Sequence, residues 1–426
     1  MRTKLDMITT RARSDTKLRF TSLAHILTPE FLMETWKQMN QRGASGVDHE
    51  TMDDFAQNLE ERCTELVFRL KARRYKAPPV RRVEIPKENG KTRPLGIPTV
   101  EDRLLQRAVG RILTSLYEPV FLPCSFGFRQ GRNPHQALAE VRNEVMFRKA
   151  NAIFETDIRG FFNHLSHQWL MRMLKRRIGD PEILRLIGKW LKAGVLDNGI
   201  LIKNTEGAPQ GGPISPILAN IYLHYVLDLW FEKVVKGHCR GRVTLVRFAD
   251  DFIVLFEYPE EAKRVEVAVR RRMEKFGLAL AEEKTRTVPF GRYARRVPGK
   301  RHGRFEFLGF EHLEGRDRKG KYAVVRVPTK KSCRKFLDRV KTWLRVNKHQ
   351  NRIDQRRHLE AMLRGFYQYF ALPHCKRRLK LMRFHVTRRW RKTLRGQSQR
   401  TRYTWARLNR AKWFLLPEPR ILHPNV

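Results

Sequence analysis

The fourteen residues Val243-Thr-Leu-Val-Arg-Phe-Ala-Asp-Asp-Phe-Ile-Val-Leu-Phe256 set the tightest limit on what this chain can fold into. Two β-branched and aromatic runs flank a short break, which predicts a β-hairpin with Asp250 and Asp251 at its tip. Two carboxylates that close repel each other, and folding them together is costly unless a cation sits between them. Oxygen-rich acidic sites of this kind suit Mg²⁺, which binds through one or two carboxylates together with substrate phosphates. A solvated Asp-Asp turn is the simpler reading of such a dipeptide alone. The apolar strands on both sides argue against it, because they make the turn part of a core sheet.

Charge points to the partner. The 426 residues hold 88 Lys and Arg against 43 Asp and Glu, a formal net charge of +45. Solubility needs far less; such an excess calls for a polyanion, with phosphate neutralisation and counterion release supplying much of the affinity. No run approaches the ~18 consecutive apolar residues of a spanning helix, so a membrane is not expected as a partner. The N-terminal residues lack the apolar core of a secretory signal. Five cysteines lie far apart with no Cys-x-x-Cys, which suggests reduced thiols in a cytoplasm and no zinc site.

Along the chain, Pro29 suits the first turn of an amphipathic helix over Thr28–Lys37. Gly43–Asp48 reads as a loop between helices, and residues 75–98 as a hairpin turning at Glu88-Asn-Gly90. The last hundred residues change character. Phe336, Leu337, Val340, Trp343 and Leu344 mark one helix at 3.6 periodicity, Leu359 to Phe370 a second, and Leu379, Met382, Val386 and Trp390 a third. From Ala371 onward there are 16 Lys or Arg and one acid, Glu418, interleaved with Phe384, Trp390, Tyr403, Trp405 and Trp413. Charge for a backbone and rings for stacking suit RNA or single strands, although core packing claims some of these rings.

A third carboxylate stands at Asp157, after the apolar run Ala152-Ile-Phe-Glu-Thr and before Ile-Arg-Gly-Phe-Phe162, where a strand runs into a helix. With the hairpin pair it could share two metals about 4 Å apart; a helix cap is the alternative for a strand-end Asp. Between these sites, Glu206-Gly-Ala-Pro-Gln-Gly-Gly-Pro-Ile-Ser-Pro-Ile-Leu-Ala-Asn220 has the glycines and prolines of a fixed turn that lets backbone approach a ligand. It serves equally as a structural loop or a contact through Gln210.

Taken in order, these segments resemble the reverse transcriptases of the group II intron type. Asp157–Phe162, Ala208–Pro216, Phe248–Asp251, Leu280-Ala-Glu-Glu-Lys-Thr285 and Phe307-Leu-Gly-Phe310 match the series of palm motifs. Gly43–Asp48 looks like the N-terminal extension. Ile85–Pro98 and Ser125–Arg132 look like the fingers, and Leu363–Phe370 like the start of the thumb or maturase domain. The likeness covers roughly residues 40–426. It implies an α+β right-hand polymerase: an N-terminal extension and start of the fingers over 1–74, fingers over 75–150, a palm with a ferredoxin-like antiparallel sheet and helices over 151–325, and a basic helical thumb or maturase-like domain over 326–426.

The resemblance also implies roles. Asp157, Asp250 and Asp251 hold two Mg²⁺, with Mn²⁺ as a substitute and the Ile158 carbonyl assisting. Phe162 is the steric gate against a ribose 2′-OH. Lys87 and Arg93 grip the triphosphate, Gln210 contacts the incoming dNTP and Lys284 supports the leaving phosphates. Arg129, Arg132, Arg364, Arg388, Arg389 and Arg391 are the candidate RNA contacts. The partners are an RNA template within a structured RNA, a DNA primer and dNTPs. Phe248 stands where relatives more often carry Tyr, and Asn163 where many carry Asp. No zinc-like endonuclease segment follows, so target cleavage is not expected. Two other roles fit the same residues: an RNA-folding splicing cofactor with secondary polymerase activity, and a reverse transcriptase serving antiphage defence from a dedicated non-coding RNA.

Overall fold

A computed structural model describes residues 3–86, 92–197, 200–202, 206–207, 211–294, 303–317, 319–397 and 403–426, without the side chains of Pro86, Arg93, Asn409 and Lys412. The described strands are β1 (Val80–Pro86), β2 (Thr92–Ile97), β3 (Ala152–Asp157), β4 (Val195–Asp197), β5 (Ile200–Ile202), β6 (Val243–Phe248), β7 (Asp251–Phe256), β8 (Arg286–Pro289), β9 (Arg304–Phe307), β10 (Phe310–Arg316) and β11 (Tyr322–Pro328). They form sheets ordered β2-β1-β4-β5, β6-β7-β3-β8 and β11-β10-β9. The hairpin expected from the Val243–Phe256 run is β6–β7, and β3 lies antiparallel against β7.

The β6-β7-β3-β8 sheet is the middle layer, and the period-2 alternation of side chains explains why its strands read as nearly unbroken apolar runs. Phe154, Val243, Leu245, Phe252, Val254 and Phe256 enter a core shared with helices from Lys4–Ser14 to Glu260–Lys275. Their neighbours Ile153, Val246, Ile253 and Leu255 point the other way, into a core with the helix Pro134–Phe147, β9–β11 and the C-terminal helices. One sheet therefore supplies both hydrophobic cores.

Capping fixes the helices as their sequences suggest. The Thr28 hydroxyl accepts from the Phe31 N–H at 3.3 Å, starting Pro29–Trp36 with proline in its first turn. Thr329 does the same for Lys330–Val346, accepting from Ser332. That helix packs with Arg352–Phe370 and Lys376–Arg395 as the expected three-helix group, tied by the buried Trp390 indole donating to Gln355 Oε1 at 2.8 Å. No helix among the described residues is long and apolar enough to cross a membrane.

The structure departs from the sequence reading in three places. A boundary at 325/326 falls inside β11, whose ladder with β10 continues to Pro328, so the helical region starts at Thr329. No full helix follows Asp157: Phe161–Asn163 is a single 3₁₀ turn entered through Gly160 at φ 55°, and the helix proper waits for the Ser166 cap. The β4–β5 hairpin carries no period-2 alternation that would have announced it, since Ile200, Leu201 and Ile202 are all exposed.

Candidate active site

Register brings the carboxylates together. Asp157 ends β3 directly opposite Asp251, which opens β7 and also faces Phe248 across the hairpin. Only Ala249 and Asp250 form the turn, and Ala249 takes a left-handed φ of 58°, as the first central position of a mirror-type hairpin turn does. The Ile158 N–H reaches the Asp250 carbonyl at 3.4 Å, closing the ring of chain around the acids.

The electrostatics follow from this crowding. Burial, then the charges of Asp157 and Asp250, push the Asp251 carboxyl up to about 8. The Lys284 ammonium lies against Asp157 Oδ2. Burial alone would lower the lysine, but its hydrogen bond to Asp157 and the charges of Asp157, Asp251 and Asp250 raise it. Among the described residues no three His, Cys, Asp or Glu side chains are gathered into a group that could hold a metal ion as they stand; Lys284 takes the cation's place on Asp157. The donor chemistry nevertheless fits a hard divalent ion: carboxylates without thiol or imidazole, crowded enough that one is held well above the ordinary carboxylate range.

Around the acids, Phe161 is buried and meets Phe162 edge-on with centroids 5.4 Å apart, while Phe162 stays partly open. Gly207 packs against this turn. A Cβ on Gly207, at φ 85°, would stand 2.8 Å from the Asn163 carbonyl and 3.0 Å from that of Phe162. Gly211, at φ 120°, abuts the Gly96 carbonyl of β2 in the same way, at 2.6 Å. Lys87 and Gln210 lie outside the described residues, as does the side chain of Arg93.

Two groups escaped the sequence reading. Tyr369, in the last turn of the Arg352–Phe370 helix, donates to the Leu308 carbonyl at 3.0 Å. Burial and the facing charge of Asp251 push its phenol up to about 12, so the C-terminal helices reach the catalytic hairpin. Arg247, beneath the hairpin turn, is fully buried and paired with Asp228 at 2.6 Å. A lone arginine inside an apolar strand was the available signal for it.

The arginines expected to meet RNA divide. Arg129 does not face solvent: its guanidinium binds Glu118 at 2.7 Å and the Leu122 and Ser125 carbonyls at 2.7 and 2.8 Å. The cause is Phe128, whose left-handed φ of 57° throws its own ring outward and turns the next side chain in. Arg132 lies over the Phe126 ring at 5.5 Å. Arg364 is exposed but tied to Glu360 one helical turn back. Arg391 donates to the Tyr403 carbonyl at 3.0 Å and covers Trp405, so it holds the following segment to its helix. Arg388 and Arg389 line a hollow of about 800 Å³ together with Arg391, His385, Lys392 and Arg395.

The family described as reverse transcriptase (RNA-dependent DNA polymerase) matches residues 85–312, which contain the whole carboxylate site. The chain belongs to the reverse transcriptase family. It is 31% identical over 363 residues to protein YkfC of Escherichia coli (strain K12), covering 77% of this chain and 92% of YkfC. It is 40% identical over 234 residues to the group II intron-encoded protein LtrA of Lactococcus lactis subsp. cremoris, covering 53% of this chain. A 91 kDa protein in the cob intron of Schizosaccharomyces pombe is 35% identical over 189 residues. This reverse transcriptase is thus of the group II intron type. It spans 38% of the length of LtrA and 23% of the cob intron protein. RNA-directed DNA polymerisation on a nucleic acid template and primer is the activity of its family, and divalent metal use is general there.

Proposed function

We propose that this reverse transcriptase copies RNA into DNA with two Mg²⁺ ions, working in complex with a structured intron-type RNA that it also helps to fold. The observation that carries the reading is the cross-strand pairing of Asp157 with Asp251, Asp250 one residue away and Lys284 poised against them. A site meant only for RNA binding has no use for clustered acids, which repel a polyanion. Catalysis is therefore favoured over a purely RNA-folding role.

The reaction is a displacement: the primer 3′ oxygen bonds to the α-phosphorus of a dNTP, the bond to pyrophosphate breaks, and the hydroxyl proton leaves to solvent. Asp157, Asp250 and Asp251, with the Ile158 carbonyl, would hold the metals, which supply charge neutralisation to the attacking and leaving oxygens. Loss of the Asp251 proton readies that carboxylate as a ligand. Lys284, released from Asp157, is free to meet the negative charge that grows on the leaving phosphates. The partly open Phe162 ring limits the sugar. Lys87, Arg93 and Gln210 would complete the nucleotide contacts, and the hollow around Arg388 and Arg389 would receive RNA phosphates.

Primer extension on an RNA template with dNTPs and Mg²⁺ tests this. Asp157→Ala and Asp250→Ala should each abolish extension, a loss well beyond the ~10²–10³-fold typical of one hydrogen-bond donor, with circular dichroism unchanged. Extension by the well-folded double variant would overturn the assignment.

A further inference from the structure

Arg247 uses every donor it has. Its Nε and one Nη2 hydrogen reach the two carboxylate oxygens of Asp228 at 2.7 and 2.6 Å. The other Nη2 hydrogen meets Ser125 Oγ at 2.8 Å. Nη1 donates to Asn220 Oδ1 at 3.2 Å and to the Ala249 carbonyl at 2.9 Å. Five N–H groups find five acceptors on four parts of the chain: the 124–127 segment, the helix Ser215–Leu223, the π-helical turn His224–Asp228 that continues it, and the hairpin turn.

The last of these contacts concerns the chemistry. The Ala249 carbonyl belongs to the peptide unit that leads into Asp250, and Ala249 sits in the left-handed region that costs an alanine free energy. The turn is held from the side as well. The Phe126 N–H donates to the Arg247 carbonyl and the Arg247 N–H to the Cys124 carbonyl, both at 2.8 Å, so residues 124–126 run beside β6. Asn220 Nδ2 donates to the Gly127 carbonyl at 2.8 Å, tying that segment to the same cluster.

We propose that Arg247 is a positioning residue for polymerisation: its fork fixes the Ala249–Asp250 peptide, and so the reach of Asp250 and Asp251 toward the divalent metals. Lysine cannot replace it, because one ammonium has three donors and no planar fork.

The inference rests on the metal assignment above, and its test separates the two. Mn²⁺ titrated into the purified protein and followed by electron paramagnetic resonance reports binding without turnover; primer extension gives kcat and the dNTP KM. Arg247→Lys should weaken Mn²⁺ binding about tenfold and lower kcat about a hundredfold, with KM for dNTP nearly unchanged. If that variant fails to fold, Ser125→Ala decides. It removes one acceptor from the fork and should lower kcat several-fold, with a parallel loss of Mn²⁺ affinity. Tyr75→Phe is the control for stability alone: it breaks a buried network with Asp102 and Trp190, none of them in the hairpin, and should lower the melting temperature without touching kcat. Variants at Arg247 or Ser125 that lose stability as Tyr75→Phe does, yet keep kcat and Mn²⁺ affinity, would overturn the role of Arg247. Wild-type protein that binds no Mn²⁺ would sink the metal assignment instead.

Discussion

Burial and two facing carboxylates raise Asp251 from the ordinary 3.8 to about 8. The folded chain therefore holds this proton more tightly than the unfolded chain, and stability falls as pH rises between those values. Asp251→Asn removes both the titration and the repulsion. Without metal, the variant should melt a few degrees above wild type at pH 8, with the gap closing toward pH 5, while primer extension is lost. An equal or lower melting temperature at pH 8 would contradict the crowding argument. Phe162 carries the second prediction at this scale. Phe162→Val should raise the kcat/KM ratio of rNTP to dNTP about tenfold or more while keeping DNA synthesis, and an unchanged ratio would leave Phe162 a packing residue. These positions were legible because each lies in a short contiguous motif. Arg247 was not, since its partners stand at 125, 220 and 228 and meet only after folding. Arg129 misled because a basic residue in a fingers motif says nothing of the backbone turn before it.

Among elements, the segment 124–127 is set closely against the hairpin turn. A Cβ on Gly127 would lie 2.4 Å from the Ala249 nitrogen and 2.9 Å from the Phe248 carbonyl carbon. Relief requires the hairpin turn to move by about 1 Å, a displacement that costs on the order of 10²-fold in rate when it misplaces reacting groups. Gly127→Ala should therefore cut kcat by about that factor with a modest loss of melting temperature. Near-normal kcat would mean that the turn shifts freely. The C-terminal helices could be read from the sequence because a 3.6-residue stripe is a local property, and Phe336, Leu359 and Leu379 all lie inside. The β4–β5 hairpin escaped because its pairing partner is β1, more than a hundred residues upstream.

For the whole molecule, the charge of +45 should make RNA binding mainly electrostatic. The logarithm of the binding constant should fall against log[salt] with a slope of several units. Removing the C-terminal third would be a poor test, because Leu379, Met382, Val386, Trp390 and Phe414 belong to the second core. The triple change Arg388→Glu, Lys392→Glu and Arg395→Glu spares that core. It should reduce the slope by about 3 and weaken RNA binding with little effect on dNTP KM, and an unaltered slope would move the RNA path elsewhere. The sheet that feeds two cores also has a history during synthesis. One of its faces can be covered by residues already made when β8 leaves the ribosome; the other meets the helix Pro134–Phe147 early but waits to be completed by helices that end near Phe414. At ordinary elongation rates that wait lasts on the order of ten seconds. Throughout it, a nascent chain carries Ile153, Val246, Ile253 and Leu255 on a finished sheet face that only the helix Pro134–Phe147 covers in part, which makes this the stage at which a holding chaperone, or the RNA itself, has most to protect.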